Sequence, residues 1–206
     1  MGLSNEKLHA GLDALAEIEP RIAYALEVAG YPETRRRDKG YATLLRTIVG
    51  QQVSVHAAAS VWRKLEATLG EGCAPASLLA AEEDALRGCG LSRQKQSYAR
   101  SLAELVESGA LDFAALPSDD EEAITMLTRV KGIGRWSAEI YLLFAEGRAD
   151  IWPAGDLAVQ EAVKRIMGLS TRPSEKETRA IGENWRPHRG AAAIFAWHSY
   201  NIDALG

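Results

Sequence analysis

An all-α fold is what this sequence predicts, and three observations carry that prediction. Apolar residues recur at helical spacing, as in Leu8, Leu12, Leu15 and Ile18. Hydroxyl residues stand three positions ahead of a glutamate, as Ser118 with Glu121 and Ser174 with Glu177, which is the pattern of a capping box. No alternating apolar–polar run of useful length argues for a strand.

The elements follow in order. The Leu8–Ile18 stripe marks the first helix. Residues 31–40 make the best candidate for a long loop. Residues 41–49 and 55–69 give two further helices, with the polar pair Gln51-Gln52 between them. Residues 77–88 and 93–107 continue the pattern, separated by Gly88 and Gly90. Ser118 opens a helix running to about Thr128, and another begins near Arg135 and continues through Ile140, Tyr141, Leu143 and Phe144. Leu157, Val159, Ala162, Val163 and Ile166 form one apolar stripe. Ser174 starts another helix. Residues 190–199 are apolar nearly all round, so that helix is expected to be buried.

Composition narrows the class. A chain of 206 residues fits one domain, or two small lobes around one core. No apolar run reaches the length of a membrane span, so no membrane partner is expected. The N-terminal stretch lacks the basic-then-apolar secretory pattern, and the two cysteines, Cys73 and Cys89, suit a reducing, cytoplasmic setting. They are also too few for a four-cysteine metal site, and His9, His56, His188 and His198 lack zinc-like spacing. The formal net charge of −4 weakly disfavours a nonspecific nucleic-acid binder. Yet Arg35, Arg36, Arg37, Lys39 and Arg46 cluster, and so do Arg87, Arg93, Lys95 and Arg100, while acids gather elsewhere. A basic face on an acidic protein and a mixed solvated surface both remain open.

The most informative stretch spans residues 127–138. An apolar helix ends near Thr128, a tight turn carries Gly132 and Gly134, and a second helix starts near Arg135. Glycine permits positive φ and lets another backbone approach. Amides at a new helix start carry the positive end of the dipole, which suits a phosphate. Lys131 and Arg135 add charge. On these residues alone, DNA binding is one reading among several.

The longer pattern is more specific. Val130-Lys131-Gly132-Ile133-Gly134-Arg135-Trp136-Ser137-Ala138 resembles the helix–hairpin–helix of DNA glycosylases. Trp152-Pro153-Ala154-Gly155-Asp156-Leu157 resembles that superfamily's Gly/Pro-rich segment ending in an essential aspartate. Ile48-Val49-Gly50-Gln51-Gln52-Val53-Ser54 is similar to its N-terminal signature, and Trp185-Arg186-Pro187-His188-Arg189-Gly190 to its C-terminal motif. Together, in the family's order from about residue 20 to 202, they make the chain resemble the 3-methyladenine DNA glycosylase II (AlkA-like) family.

That resemblance implies a two-lobed helix–hairpin–helix fold over residues 1–206 with its active cleft between the lobes. The β-rich N-terminal domain of larger members is expected to be absent. Asp156 is implied as the catalytic carboxylate, stabilising the oxocarbenium-like sugar; whether it also deprotonates the water stays open. Its position before an amphipathic helix also suits an N-cap, and the two roles are compatible. Asp156 lies 20 residues beyond Trp136. A helix of roughly 16–18 Å followed by a segment reaching about 30 Å lets the chain return.

Trp136 stands where bifunctional relatives carry a Schiff-base lysine, so a monofunctional, inverting hydrolysis is implied. Trp136 and Trp197 are implied to line the base pocket, against the plainer reading of both as core residues. Ile140 occupies a position that is often aromatic in the family. Gln52 matches the residue that fills the gap left by the flipped nucleotide, against the alternative that Gln51 and Gln52 merely begin a helix. Lys131, Gly132, Ile133, Gly134 and Arg135 are implied DNA contacts. The carbonyls of Thr128, Val130 and Ile133 are implied to hold a structural Na+ or K+, with no cofactor for catalysis.

The implied partner is double-stranded DNA with alkylated bases, led by 3-methyladenine. A monomer is the simplest state, cytoplasmic and nucleoid-associated if bacterial. A noncatalytic hairpin module of a repair complex, or a glycosylase for deaminated bases, are the alternatives.

Overall fold

The chain starts its first helix at Ser4, whose hydroxyl accepts the Lys7 amide at 3.2 Å. This helix, α1 (Asn5–Ile18), buries Leu8, Leu12 and Leu15, as their spacing predicts, and leaves Ile18 exposed at its end. Glu19 then caps α2 (Pro20–Ala29), with Pro20 in the first turn where its missing amide proton is not needed. Residues 31–39 follow without regular structure, matching the expected loop. The computed structural model describes residues 3–200 and 202, and among them no β-strand occurs.

The chain folds as two units. One comprises the residues up to Arg37 together with those from Glu139 onward; the other runs from Asp38 to Ala138. The second unit opens with α3 (Tyr41–Gly50) and α4 (Val55–Leu69), which pack on each other. A 3-10 turn, Glu71–Cys73, leads to α5 (Pro75–Ala80), α6 (Glu83–Gly88), α7 (Arg93–Glu107) and α8 (Asp120–Leu127). Helix α7 packs against both α3 and α5. Leu44, Leu45, Ile48, Leu65, Leu78, Leu86 and Leu102 fill the core, each stabilising the fold by about 1.5–3 kcal/mol.

Two elements differ from what the sequence predicts. The single helix over 77–88 is two, because Ala81 and Glu82 are extended. Glu83 and Asp84 then sit in the first turn of α6, where negative charge is favoured. The carbonyls released by the break are taken by Arg100, which donates to Leu79 at 2.9 Å and to Ala81 at 2.6 Å. Helix α8 is capped by Asp119 rather than Ser118: the Asp119 carboxylate accepts the Glu122 amide at 2.9 Å. A carboxylate there both caps and meets the positive helix end.

Helix α9 (Arg135–Tyr141) leads out of the second unit into the first and continues as one π-helical turn, Leu142–Glu146. The first unit is completed by α10 (Leu157–Met167), α11 (Glu175–Glu183) and α12 (Arg189–Tyr200). The capping box of α11 forms as expected, and hydrogen bonds from the Ser174 amide and hydroxyl hold the Glu177 carboxyl below its usual range. Residues 190–196 are all buried, with α1, α2 and α10 packed around α12. In α10, Val159, Ala162 and Val163 face inward, but Leu157 stays 62% exposed in the first turn, outside the expected stripe.

Candidate active site and nucleic-acid interface

Asp156 stands at the N-terminus of α10. Its Oδ1 accepts the amides of Ala158 at 2.9 Å and Val159 at 3.0 Å, so the side chain is held by the helix it caps. The segment before it is folded tightly: the Asp156 amide donates to the Pro153 carbonyl at 2.9 Å, and Gln160 Nε2 donates to the Ala154 carbonyl at 2.8 Å. Trp152, Pro153 and Ala154 are buried, which fixes the direction in which the turn emerges.

The C-terminal motif acts as the brace for this segment. Trp185 packs edge-on against Trp152 at 5.3 Å, and Trp152 Nε1 donates to the Thr178 carbonyl at 2.9 Å. Gly182 of α11 lies so close to the Trp152 ring that an added Cβ would stand 2.5 Å from Nε1. Gly190 brings the start of α12 onto Ala149, where its amide donates to the carbonyl at 2.8 Å. Between these contacts Asp150 accepts from Arg186 at 2.6 Å and from Arg189 at 2.8 and 2.9 Å. Glu183 joins the cluster and is held below the usual carboxylate range, chiefly by its bond to Arg186. Nearby, the buried Glu139 pairs with Arg179, which also reaches Glu175, and Glu175 lies against Gly155.

In the same unit Trp197 is half-buried, with its ring 5.6 Å from that of Phe144 in the π-helical turn. Phe144 had no signal of its own in an apolar run. Ile140 is buried.

The hairpin belongs to the other unit. Helix α8 ends at Leu127 and α9 begins at Arg135, as the glycine spacing predicts. Gly132 has φ 79°, and a Cβ there would overlap the Tyr98 ring. The turn consumes two of its amides: Lys131 donates to Ser101 Oγ at 3.2 Å and Ile133 to the Val130 carbonyl at 3.0 Å. Among the described residues the amides of Gly132 and Gly134 donate to nothing, and both residues are exposed. Ile133 itself is buried, so only its backbone can take part. Lys131 is exposed, while Arg135 is engaged with Glu121 through both ends of its guanidinium, at 2.8 and 2.5 Å. Trp136 is 47% exposed, which removes the reading of it as a core residue.

Gln52 does not begin a helix. It sits after α3 in a turn with φ 54°, exposed, and α4 starts only after Ser54. Val53 and Val55 follow it and are exposed too. Gln51 has a role the sequence does not announce: its Nε2 donates to the Gly132 carbonyl at 2.8 Å, tying this turn to the hairpin. Helix α7 supports both. Lys95 Nζ donates to the Val49 carbonyl at 2.7 Å, Tyr98 lies under Gly132, and Ser101 receives the Lys131 amide. These three residues follow one another at i, i+3 and i+6, one face of the helix. Burial lowers the pKa of Lys95, the sign expected for an ammonium drawn partly out of water.

The Thr128 and Ile133 carbonyls accept no hydrogen bond among the described residues, and the Val130 carbonyl accepts one. Oxygen donors with lone pairs to spare fit a monovalent cation. No group of three or more His, Cys, Asp or Glu side chains among the described residues could hold a metal ion.

Comparison with known proteins adds to this geometry. Residues 45–187 match the family described as HhH-GPD superfamily base excision DNA repair protein. The chain is 30% identical over 181 residues to DNA-3-methyladenine glycosylase 1 of Schizosaccharomyces pombe, covering 85% of this chain and 79% of that protein. It is similar to the crystal structure of DNA-3-methyladenine glycosidase from Bacillus halodurans (TM-score 0.87, 29% identity, 94% of this chain and 90% of that one). It is also similar to the Schizosaccharomyces pombe 3-methyladenine DNA glycosylase Mag1 in complex with abasic DNA (TM-score 0.77, 27% identity, 91% of this chain and 95% of that one).

Proposed function

The chain belongs to the HhH-GPD superfamily of base excision DNA repair proteins, and from that premise we propose that it is a monofunctional DNA glycosylase releasing alkylated purines, 3-methyladenine first among them, from duplex DNA. The observation that carries this reading is Asp156: a carboxylate fixed by two helix amides at the end of a segment that the Trp185–Gly190 motif braces. The names of the relatives, 3-methyladenine glycosylases, support the substrate class.

In this reading the exposed amides of Gly132 and Gly134, with Lys131, bind a DNA phosphate. Arg135 adds to that charge only by loosening its pair with Glu121. The nucleotide swings out of the stack, and Gln52 fills the space it leaves. The indoles of Trp136 and Trp197 receive the base, with cation–π attraction when alkylation has made it cationic. As the N-glycosidic bond lengthens, positive charge grows on the sugar. The Asp156 carboxylate stabilises it, already oriented and requiring no rearrangement. Water then attacks the sugar carbon, its proton passing to solvent or to Asp156, and a free base and an abasic site result. With Trp136 in place of an amine, no Schiff base forms and the strand stays intact. A Na+ or K+ on the Thr128, Val130 and Ile133 carbonyls would tie the hairpin to the phosphate. The protein acts as a monomer.

The test is a release assay on defined duplexes carrying 3-methyladenine, hypoxanthine or uracil, with abasic sites read out by alkaline cleavage. The expected result is preferential release of 3-methyladenine and no strand scission before alkali. Binding without release of any base would assign the chain to noncatalytic hairpin modules, and preferential release of hypoxanthine or uracil to glycosylases for deaminated bases.

A further inference from the structure

The two basic clusters of the sequence have different fates. In the second, Arg87 pairs with Asp84, Lys95 holds the Val49 carbonyl and Arg100 holds those of Leu79 and Ala81, which leaves Arg93 alone exposed without a side-chain partner among the described residues. Arg46, at the far end of the first, is paired with Glu66 and lies over the Trp62 ring. Arg35, Arg36 and Arg37 are exposed, and among the described residues their side chains have no ion pair or hydrogen bond. Three successive guanidinium groups therefore remain available to an anionic partner.

The loop bearing them is nevertheless held in place. The Tyr31 hydroxyl donates to Asp13, the Pro32 carbonyl meets His9 Nε2 at 3.2 Å, and the Thr34 amide donates to Asn5 Oδ1 at 2.9 Å. The Arg37 amide donates to the Phe144 carbonyl at 3.0 Å, and the Phe144 ring is the one that lies against Trp197. These contacts hold the loop along its length while its arginine side chains stay exposed. Order in place before binding lowers the entropic cost of association. Guanidinium groups match phosphate oxygens in geometry as well as charge.

We propose that Arg35, Arg36 and Arg37 form a second phosphate-binding edge for DNA, separate from the hairpin and adjoining the aromatic pair Phe144–Trp197. This rests on the reading of the protein as a DNA glycosylase. The edge contributes affinity and salt sensitivity rather than chemistry, since none of its groups belongs to the catalytic machinery described above.

The experiment compares the full chain with the triple variant Arg35→Gln/Arg36→Gln/Arg37→Gln. Affinity for a duplex containing a stable abasic analogue is measured from about 50 to 200 mM salt, beside release of 3-methyladenine at saturating enzyme. Each lost phosphate contact should flatten the log–log salt slope by about 0.9, so the wild type should lose about 40-fold more affinity across that range than the variant. Excision at saturation should stay within about twofold. Lysine at all three positions should restore the slope, which a merely structural role would not do. Should the triple variant fail to fold, Arg36→Gln alone should flatten the slope by about 0.9. An unchanged slope would overturn the proposal. A wild type that releases no base overturns the glycosylase reading instead, and the slope comparison still decides the DNA edge.

Discussion

At Asp156 two requirements coincide in one side chain. Capping α10 fixes Oδ1, and the proposed chemistry needs a negative charge in a fixed place. The cap was legible, because an aspartate directly precedes an amphipathic run. The exposure of Trp136 was not, because a tryptophan at the head of an apolar helix reads equally well as core. Gln52 is a sharper case of the same kind. Its φ of 54° places a non-glycine residue in the left-handed region, a strain that no sequence pattern reports. Gln52→Gly relieves that strain and removes the side chain together. We expect stability in urea to hold or rise by up to about 1 kcal/mol, while excision from duplex falls and excision from single strands does not. Loss of stability together with unchanged duplex activity would remove both the strain and the plug.

Elements were legible where local chemistry decided them. Helices α3 and α4 begin and end close to their apolar stripes, and Ser174 with Glu177 announces α11. The break at Ala81 was hidden because it depends on Arg100, which is distant in sequence and takes the released carbonyls. The Lys95–Tyr98–Ser101 face of α7 was hidden for the same reason: its partners, Val49, Gly132 and Lys131, are long-range. That face makes a specific demand on the hairpin. Gly132→Ala would force a methyl into the Tyr98 ring at a φ that alanine rarely adopts. We expect a loss of about 1–3 kcal/mol in thermal or chemical unfolding and DNA affinity at least tenfold weaker. Replacing Tyr98 with alanine as well should recover only part of the stability, since the backbone conformation remains unfavourable. Full recovery would show that the ring alone, and not the turn geometry, makes glycine necessary.

At the scale of the whole molecule, the net charge of −4 conceals how charge is placed. Acids gather at the start of α8, as Asp119, Asp120, Glu121 and Glu122, while exposed cations gather elsewhere, as Lys131 and Arg35 to Arg37. The family motifs divide between the units, with Gln52, the hairpin and Trp136 in one and Asp156, Trp197 and the C-terminal motif in the other. Motifs in the family's order made the fold class readable, though not every helix boundary. The Trp152–Trp185 contact and the Asp150–Arg186–Arg189 cluster explain in physical terms what the last motif does. In the proposed mechanism the charge of the Asp156 carboxylate, not its shape, drives base release. Asp156→Asn keeps the size and the cap and removes the charge. Single-turnover release of 3-methyladenine by this variant, measured beside its affinity for abasic duplex, is therefore the most direct test. Excision should fall by about a hundredfold or more with affinity within a few-fold of the wild type; near-normal excision would contradict the account.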